Sequence, residues 1–217
     1  IAGSLATSGL PITSDEFLNA ATRPPQGFDF LTGAGSVEGF LYPDAYIFSR
    51  KLSSADEMIA AMVGNFAAHL TLDMRNGFEQ QGLTVYQAVT LASMVEREAV
   101  QDDEQPFIAS VYLNRLNVGM KMDADPTVQY AIGYNPLQQT WWTNPLSLPD
   151  LETNSAYNTY IYAGLPPTPI ASPSLGALRA IAFPAETNYY YFRAKCDGSG
   201  FHEFSETFDE HLQNACP

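Results

Sequence analysis

The stretch TVYQAVTLASMVEREAV, residues 84–100, reads as one helix that ends in two glutamates, Glu96 and Glu98. Thr84 suits the N-cap, and Gln87 three residues later completes a capping box. At about 100° per residue, Val85, Ala88, Val89, Ala92 and Val95 share one face. Glu96 follows Ala92 by four and Val89 by seven, so it sits at the edge of that apolar stripe, whereas Arg97 points away toward solvent. Glu98 lies on the opposite rim beside Leu91 and Met94.

A carboxyl group moved into an apolar pocket favours its neutral form, because burial penalises the charge. A carboxylic acid that stays protonated near neutral pH can donate that proton to a leaving group and then take one back, as cleavage of a glycosidic bond requires. The plainer reading makes Glu96 a rim residue ion-paired to Arg115 of the next helix. Periodicity leaves Glu96 and Glu98 equally open. Ordinary glycoside hydrolysis needs a second carboxylate, about 5 Å away for retention and further for inversion. Glu98, Asp123 and Asp125 are the candidates, and spacing places none of them.

The chain has 217 residues, 46% of them hydrophobic, which suits a globular protein with a real core and excludes a disordered one. No apolar run approaches the roughly 18 residues of a membrane span, and no signal-peptide pattern is present. The abrupt start at Ile1 is expected to be the cut edge of a longer protein. Net charge is −14, with three lysines and seven arginines, so the basic footprint of a nucleic-acid binder is missing. Cys196 and Cys216 lie beside a Gly-rich turn and at the chain end. That position favours one disulfide pinning the tail over a free pair, and an oxidising, extracytoplasmic setting with it. His69, His202 and His211 are scattered without zinc spacing, so no metal is expected.

Along the chain, residues 13–21 read as a short helix capped by Thr13 and Glu16. Residues 23–53 read as a turn-rich connection. Residues 54–77 read as one long helix capped by Ser54 and Glu57 and closed by Gly77. A helix from Asp102 to Val118 carries Phe107, Val111, Asn114 and Val118 on one stripe. The stretch 119–173 is irregular and rich in Pro, Asn and Tyr. Residues 172–183 form a capped helix, 188–206 a hairpin around DGSG, and TFDEHLQNA a closing helix. The layout is α+β: a helical core, a long ordered loop region and a C-terminal β-hairpin.

Within the loop region, DADPTVQYAIG (123–133) and SAYNTYIYAGLPPTPIASP (155–173) cluster tyrosines, amides and hydroxyls on a Pro-stiffened backbone. Such groups suit sugars, whose rings stack on aromatic faces, but they equally suit a loop that bonds to itself. Trp141 and Trp142 are either a stacking platform or a patch under the loop. There is no nucleophile elbow, P-loop or dinucleotide fingerprint. Lys51, Lys121 and Lys195 lie on no apolar face that would suit a Schiff base, and no cofactor is expected.

Taken in order, SVEGFLYPDAYIF, LASMVEREA, VYLNRLNVGMKMDADPTVQYAIG, DLETNSAYNTYIYAGLPPTPIASPSLGALRAIAFPAETNYYYFRA and DGSGFHEFSETFDEH resemble the endolytic murein transglycosylases, the YceG-like family, over about residues 36–213. The resemblance implies a segment 1–50 leading into a YceG-like catalytic domain at 51–217. It also implies a bacterial lyase that cuts nascent peptidoglycan strands internally and leaves 1,6-anhydro-muramic acid ends. The full protein would be anchored by an N-terminal helix, with its domain on the outer face of the cytoplasmic membrane, and peptidoglycan strands and synthases would be its partners. Glu96 would be the single acid/base. Glu98, Asn114, Asp125, Thr127, Gln129, Tyr157, Asn158, Thr159, Tyr160 and His202 would hold substrate. Residues 134–150 depart from the family pattern and would tune which glycan is accepted. A two-carboxylate hydrolase and a non-catalytic glycan-binding module are the competing readings.

Overall fold

The computed structural model describes residues 1–49 and 54–216. Lys51 and the expected boundary at 50/51 lie outside the described residues. The chain runs through α1 (Ala2–Ser8), α2 (Ser14–Ala21), a 3-10 turn at Asp29–Leu31, α3 (Ala55–His69), α4 (Leu72–Gln80) and α5 (Val85–Glu98). A second 3-10 turn, Asp102–Glu104, leads into α6 (Gln105–Asn117), followed by α7 (Asp125–Ile132), α8 (Leu148–Leu151), α9 (Leu175–Ala182), β1 (Tyr191–Ala194), β2 (His202–Ser205) and α10 (Phe208–Gln213). The architecture is helical with one antiparallel hairpin near the C-terminus, where Phe192 pairs with Phe204.

α5 is the central element, packed by α9, α6, α7 and α4. Its N-terminus closes as the sequence dictates: Gln87 N–H donates to Thr84 Oγ1 at 3.2 Å and Thr84 N–H to Gln87 Oε1 at 2.9 Å. Every residue from Ala88 to Val95 is buried. The helix is thus covered on both rims, not along the single stripe that periodicity suggests, and either glutamate could have met an apolar surface. A helix buried all round belongs at the centre of a core. Beside it Phe30, Phe40 and Phe66 form an aromatic cluster, with ring centroids 5.2 to 5.5 Å apart.

Four sequence readings are corrected. The single helix over 54–77 is two, because Leu70 leaves helical backbone at ψ 84° and Thr71 caps a new helix through Met74 N–H. Gly77 is not a C-cap but lies inside α4, where a Cβ would come 2.5 Å from the Ala182 carbonyl oxygen of α9. On α6, Phe107 and Val118 are exposed, whereas Ile108, Val111, Tyr112 and Arg115 are buried. The irregular region also contains two helices, α7 and α8.

Arg115 shows why the buried face of α6 was hard to see. Its guanidinium donates to the carbonyls of Tyr190 at 2.6 Å, Met122 at 2.6 Å and Lys121 at 3.1 Å, and faces Asp123 at 3.4 Å. It ties the hairpin and the turn before α7 to α6, and its ion pair is with Asp123, not Glu96. At the far end Cys196 and Cys216 are bonded, which fastens α10 back to the hairpin. Closing a loop of this length is worth about 3 kcal/mol in reduced unfolded-state entropy.

The packing at Gly77 predicts that Gly77→Ala costs about 1–3 kcal/mol through overpacking against α9. Gly64→Ala in the middle of α3, where a Cβ meets nothing within 4 Å, is expected to stabilise by about 0.5–1 kcal/mol. Urea unfolding of the two variants checks both signs.

Candidate active site

The two glutamates sit two residues apart on α5 and so face different neighbours. Glu96 belongs to the face that holds the loop before α9. Its Oε2 accepts the Ser174 N–H at 2.9 Å, one turn on from Ser93, whose hydroxyl accepts the Ile170 N–H at 3.0 Å. Ser174 is the N-cap of α9, so the Glu96 carboxylate rests at the positive end of that helix, a favourable place for a negative charge.

Glu98, the last residue of α5, faces α6 and α7. Its Oε1 accepts the hydroxyl proton of Tyr112 at 2.9 Å. The residue as a whole remains partly exposed, yet burial of its carboxyl group pushes the pKa up to about 7, against the usual 4.5, and the charge of Asp125 adds to the rise. The Tyr112 hydrogen bond and the charges of Arg97 and Arg115 oppose it. The position adds a further reason, since the C-terminal end of a helix carries partial negative charge. Tyr112 is buried and its pKa is driven well above the usual range, first by burial and then by Glu98, so it stays a proton donor to the carboxylate.

Asp125 opens α7 and accepts the Tyr160 hydroxyl at 2.7 Å. Burial and this carboxylate drive the Tyr160 phenol pKa upward, with smaller contributions from Asp123 and Glu98. Asp123 holds a left-handed backbone at φ 47° and turns the chain into α7. Glu98, Asp125, Tyr160 and Tyr112 therefore meet at one end of α5.

The other expected substrate residues have their polar atoms engaged by protein. Asn114 Nδ2 donates to the carbonyls of Thr187 and Tyr189, each at 2.9 Å. The buried Thr127 and Thr159 hydroxyls bond to one another at 2.9 Å, and Thr159 accepts from Ala124 N–H. Asn158 Nδ2 ties Leu151 and Thr153, Gln129 Nε2 donates to the Thr143 carbonyl, and the Tyr157 hydroxyl pairs with Thr168. The His202 ring nitrogen Nδ1 and backbone N–H both meet the Glu104 carboxylate, each at 2.8 Å. Through these bonds the side chains tie segments distant in sequence to one another. Two neighbours of the glutamates were not singled out from the sequence: Tyr112, and Arg97, which is exposed as its place on the helix suggests and also stands over the Trp142 ring, 3.8 Å from its centroid.

A cavity of about 600 Å³ beside Tyr86, Thr90, Asn117 and Leu165 reaches neither glutamate. Lys121 Nζ donates to the Tyr160 carbonyl and Lys195 faces Glu203 on the hairpin. Among the described residues no cluster of His, Cys, Asp or Glu could hold a metal ion, and no helix is long and apolar enough to cross a membrane.

The raised Glu98 pKa has a definite consequence for stability. Folding favours the protonated form, so this contribution is fully present below about pH 4.5 and is lost as pH rises through about 7. Each unit is about 1.4 kcal/mol, so at alkaline pH the charged Glu98 destabilises the fold. Glu98→Gln keeps an acceptor for Tyr112 without the charge. Its melting temperature is expected to exceed the wild type at pH 8.5 by several degrees, at about 2–4 °C per kcal/mol, and to match it at pH 4.5.

A sequence model of the YceG-like family matches residues 6–216. The chain is 34% identical over 175 residues to the endolytic murein transglycosylase of Bacillus subtilis, covering 81% of this chain and 46% of that protein. It is 32% identical over 161 residues to the endolytic murein transglycosylase of Streptococcus pneumoniae, covering 73% of this chain and 28% of that protein. The chain therefore spans less than half the length of these two relatives. A crystal structure of a protein described as YceG-like from Listeria monocytogenes superposes with a TM-score of 0.77 at 29% identity, over 93% of this chain and 67% of that one. With nearly its whole length matched in sequence and in fold, this chain belongs to the YceG-like family.

Proposed function

We propose that the protein is a lytic transglycosylase that cuts the β-1,4 bond between N-acetylmuramic acid and N-acetylglucosamine inside peptidoglycan strands, with Glu96 as its general acid and base. The observation that carries the assignment is the match to the YceG-like family over residues 6–216, and resemblance to the family pattern puts the role on the first glutamate of MVEREA. Glu96 suits it: it is partly exposed near the end of α5, and the Ser174 N–H holds one of its carboxyl oxygens at 2.9 Å. Glu98 turns the other way, against Tyr112 at 2.9 Å with its carboxyl group buried.

In this reading Glu96 gives its proton to the glycosidic oxygen as the bond from C1 breaks. The resulting carboxylate takes the proton of the muramyl C6 hydroxyl, whose oxygen closes onto C1 and forms the 1,6-anhydro ring. The proton balance on Glu96 closes, and neither water nor a protein nucleophile takes part. The Ser174 N–H orients the carboxyl group and steadies its charged form between the two steps.

One observation favours a second reading. The charge of Asp125 acts on Glu98, so Asp125 could activate a water in a two-carboxylate hydrolysis that leaves a reducing end. The names of the relatives support the first reading, since both are endolytic murein transglycosylases. The Cys196–Cys216 bond supports placing the domain outside the cytoplasm. A membrane anchor in the parent protein and peptidoglycan synthases as partners belong to the same reading.

The test digests purified peptidoglycan with wild type, Glu98→Gln and Glu96→Gln, and weighs the released glycans by mass spectrometry. Wild type is expected to release anhydro ends, Glu96→Gln to lose about 10²–10⁴-fold in rate, and Glu98→Gln to keep the larger part of its activity. Loss confined to Glu98→Gln would overturn the assignment, and reducing ends would select the hydrolase.

A further inference from the structure

Arg97 lies between the two glutamates in sequence, and their charges act on it, but it pairs with neither. Among the described residues no carboxylate comes within ion-pair distance of its guanidinium, and no protein acceptor takes a hydrogen bond from it. It rests instead over Trp142, 3.8 Å from the ring centroid. A guanidinium held that close to an indole gains cation–π attraction and keeps its N–H fork for an acceptor from elsewhere.

The platform under it is fixed. Trp142 N–H donates to Thr140 Oγ1 at 3.0 Å, and the next residue, buried Thr143, is gripped by Gln129 Nε2 at 2.9 Å and Asn135 Nδ2 at 3.2 Å. Gln129 belongs to α7, the helix that Asp125 opens. The loop 134–150 thus delivers Trp142 to the same end of α5 that carries Glu98.

A planar fork in this setting matches a carboxylate, which it can bind bidentately. The chain carries 24 acidic against 10 basic side chains, so an anionic substrate group meets repulsion over much of the surface. In the polymer that the proposed reaction cuts, two sugars alternate, and they differ by the carboxylate-bearing lactyl ether on the muramyl unit. An enzyme that breaks only one of the two alternating bonds needs a group that registers that difference.

Resting on the transglycosylase reading, we propose that Arg97, held by Trp142, is a specificity-determining residue that binds a carboxylate on the muramyl unit beside the scissile bond. The carboxylate comes either from the stem peptide or, in strands without peptide, from the lactyl group itself.

The test measures kcat and KM of wild type, Arg97→Gln and Trp142→Ala on four strand preparations: peptide-bearing, amidase-stripped, and each of these with its carboxylates amidated by carbodiimide and ammonia. Arg97→Gln is expected to raise KM about tenfold, the size of one charge-assisted hydrogen bond, with kcat little changed, and only on strands with free carboxylates. Trp142→Ala is expected to move KM in the same direction by less. Whichever unamidated preparation shows the effect identifies the source of the carboxylate. An equal loss on native and amidated strands, a loss confined to kcat, or no loss would overturn the proposal while leaving the transglycosylase reading intact. Failure of the wild type to release fragments from any preparation would instead sink that reading, and this proposal with it.

Discussion

The hydrogen bond from Tyr112 to Glu98 is the constraint around which the site is organised. A carboxyl group at the end of a helix whose middle is fully buried faces both desolvation and the negative end of the helix dipole. Either it finds a donor or it stays protonated. Here it has one donor, and burial still holds its pKa near 7. That balance requires α6 to lie where Tyr112 can reach α5. Arg115, one turn along the same helix, secures α6 by gathering the carbonyls of the hairpin and of the turn before α7. The same clamp sets the start of α7, and with it Asp125 and Tyr160.

Glu96 and Glu98 show how two identical side chains, two positions apart, acquire different work. Their directions differ by more than a right angle around the helix. One reaches the N-cap of α9; the other meets the Tyr112 hydroxyl and feels the charge of Asp125. Many of the tyrosines, threonines and amides of the loop region resemble Glu96 in this respect. Asn158, Thr127 and Thr159 are buried and bonded to protein, which stiffens the loop region beside α5 and α7.

Much of the frame was legible in the chain. The capping boxes at Thr13, Ser54, Thr84 and Thr207 mark helix starts directly, and the DGSG turn between alternating residues marks the hairpin. The break at Leu70 was not legible, because Thr71 begins a new helix without the acidic third residue that a capping box would show. α7 was hidden in a stretch dominated by Pro, Asn and Tyr, although Pro126 in its first turn is a helix-start signal. The buried face of α6 was masked by Arg115, a cation satisfied by carbonyls distant in sequence. Periodicity left the two glutamates level, placing both at the rim of α5, and the resemblance of MVEREA to the family pattern chose Glu96; their different partners, Ser174 for one and Tyr112 for the other, depend on tertiary placement.

The electrostatic core of this account is that burial keeps a proton on Glu98 near neutral pH. Carbon-13 NMR titration of the glutamate side-chain carboxyls, with Glu98→Gln to assign the resonance, tests it most directly. The account predicts that the resonance missing in the variant titrates near pH 7. Titration of that resonance close to 4.5, the ordinary glutamate value, would contradict it.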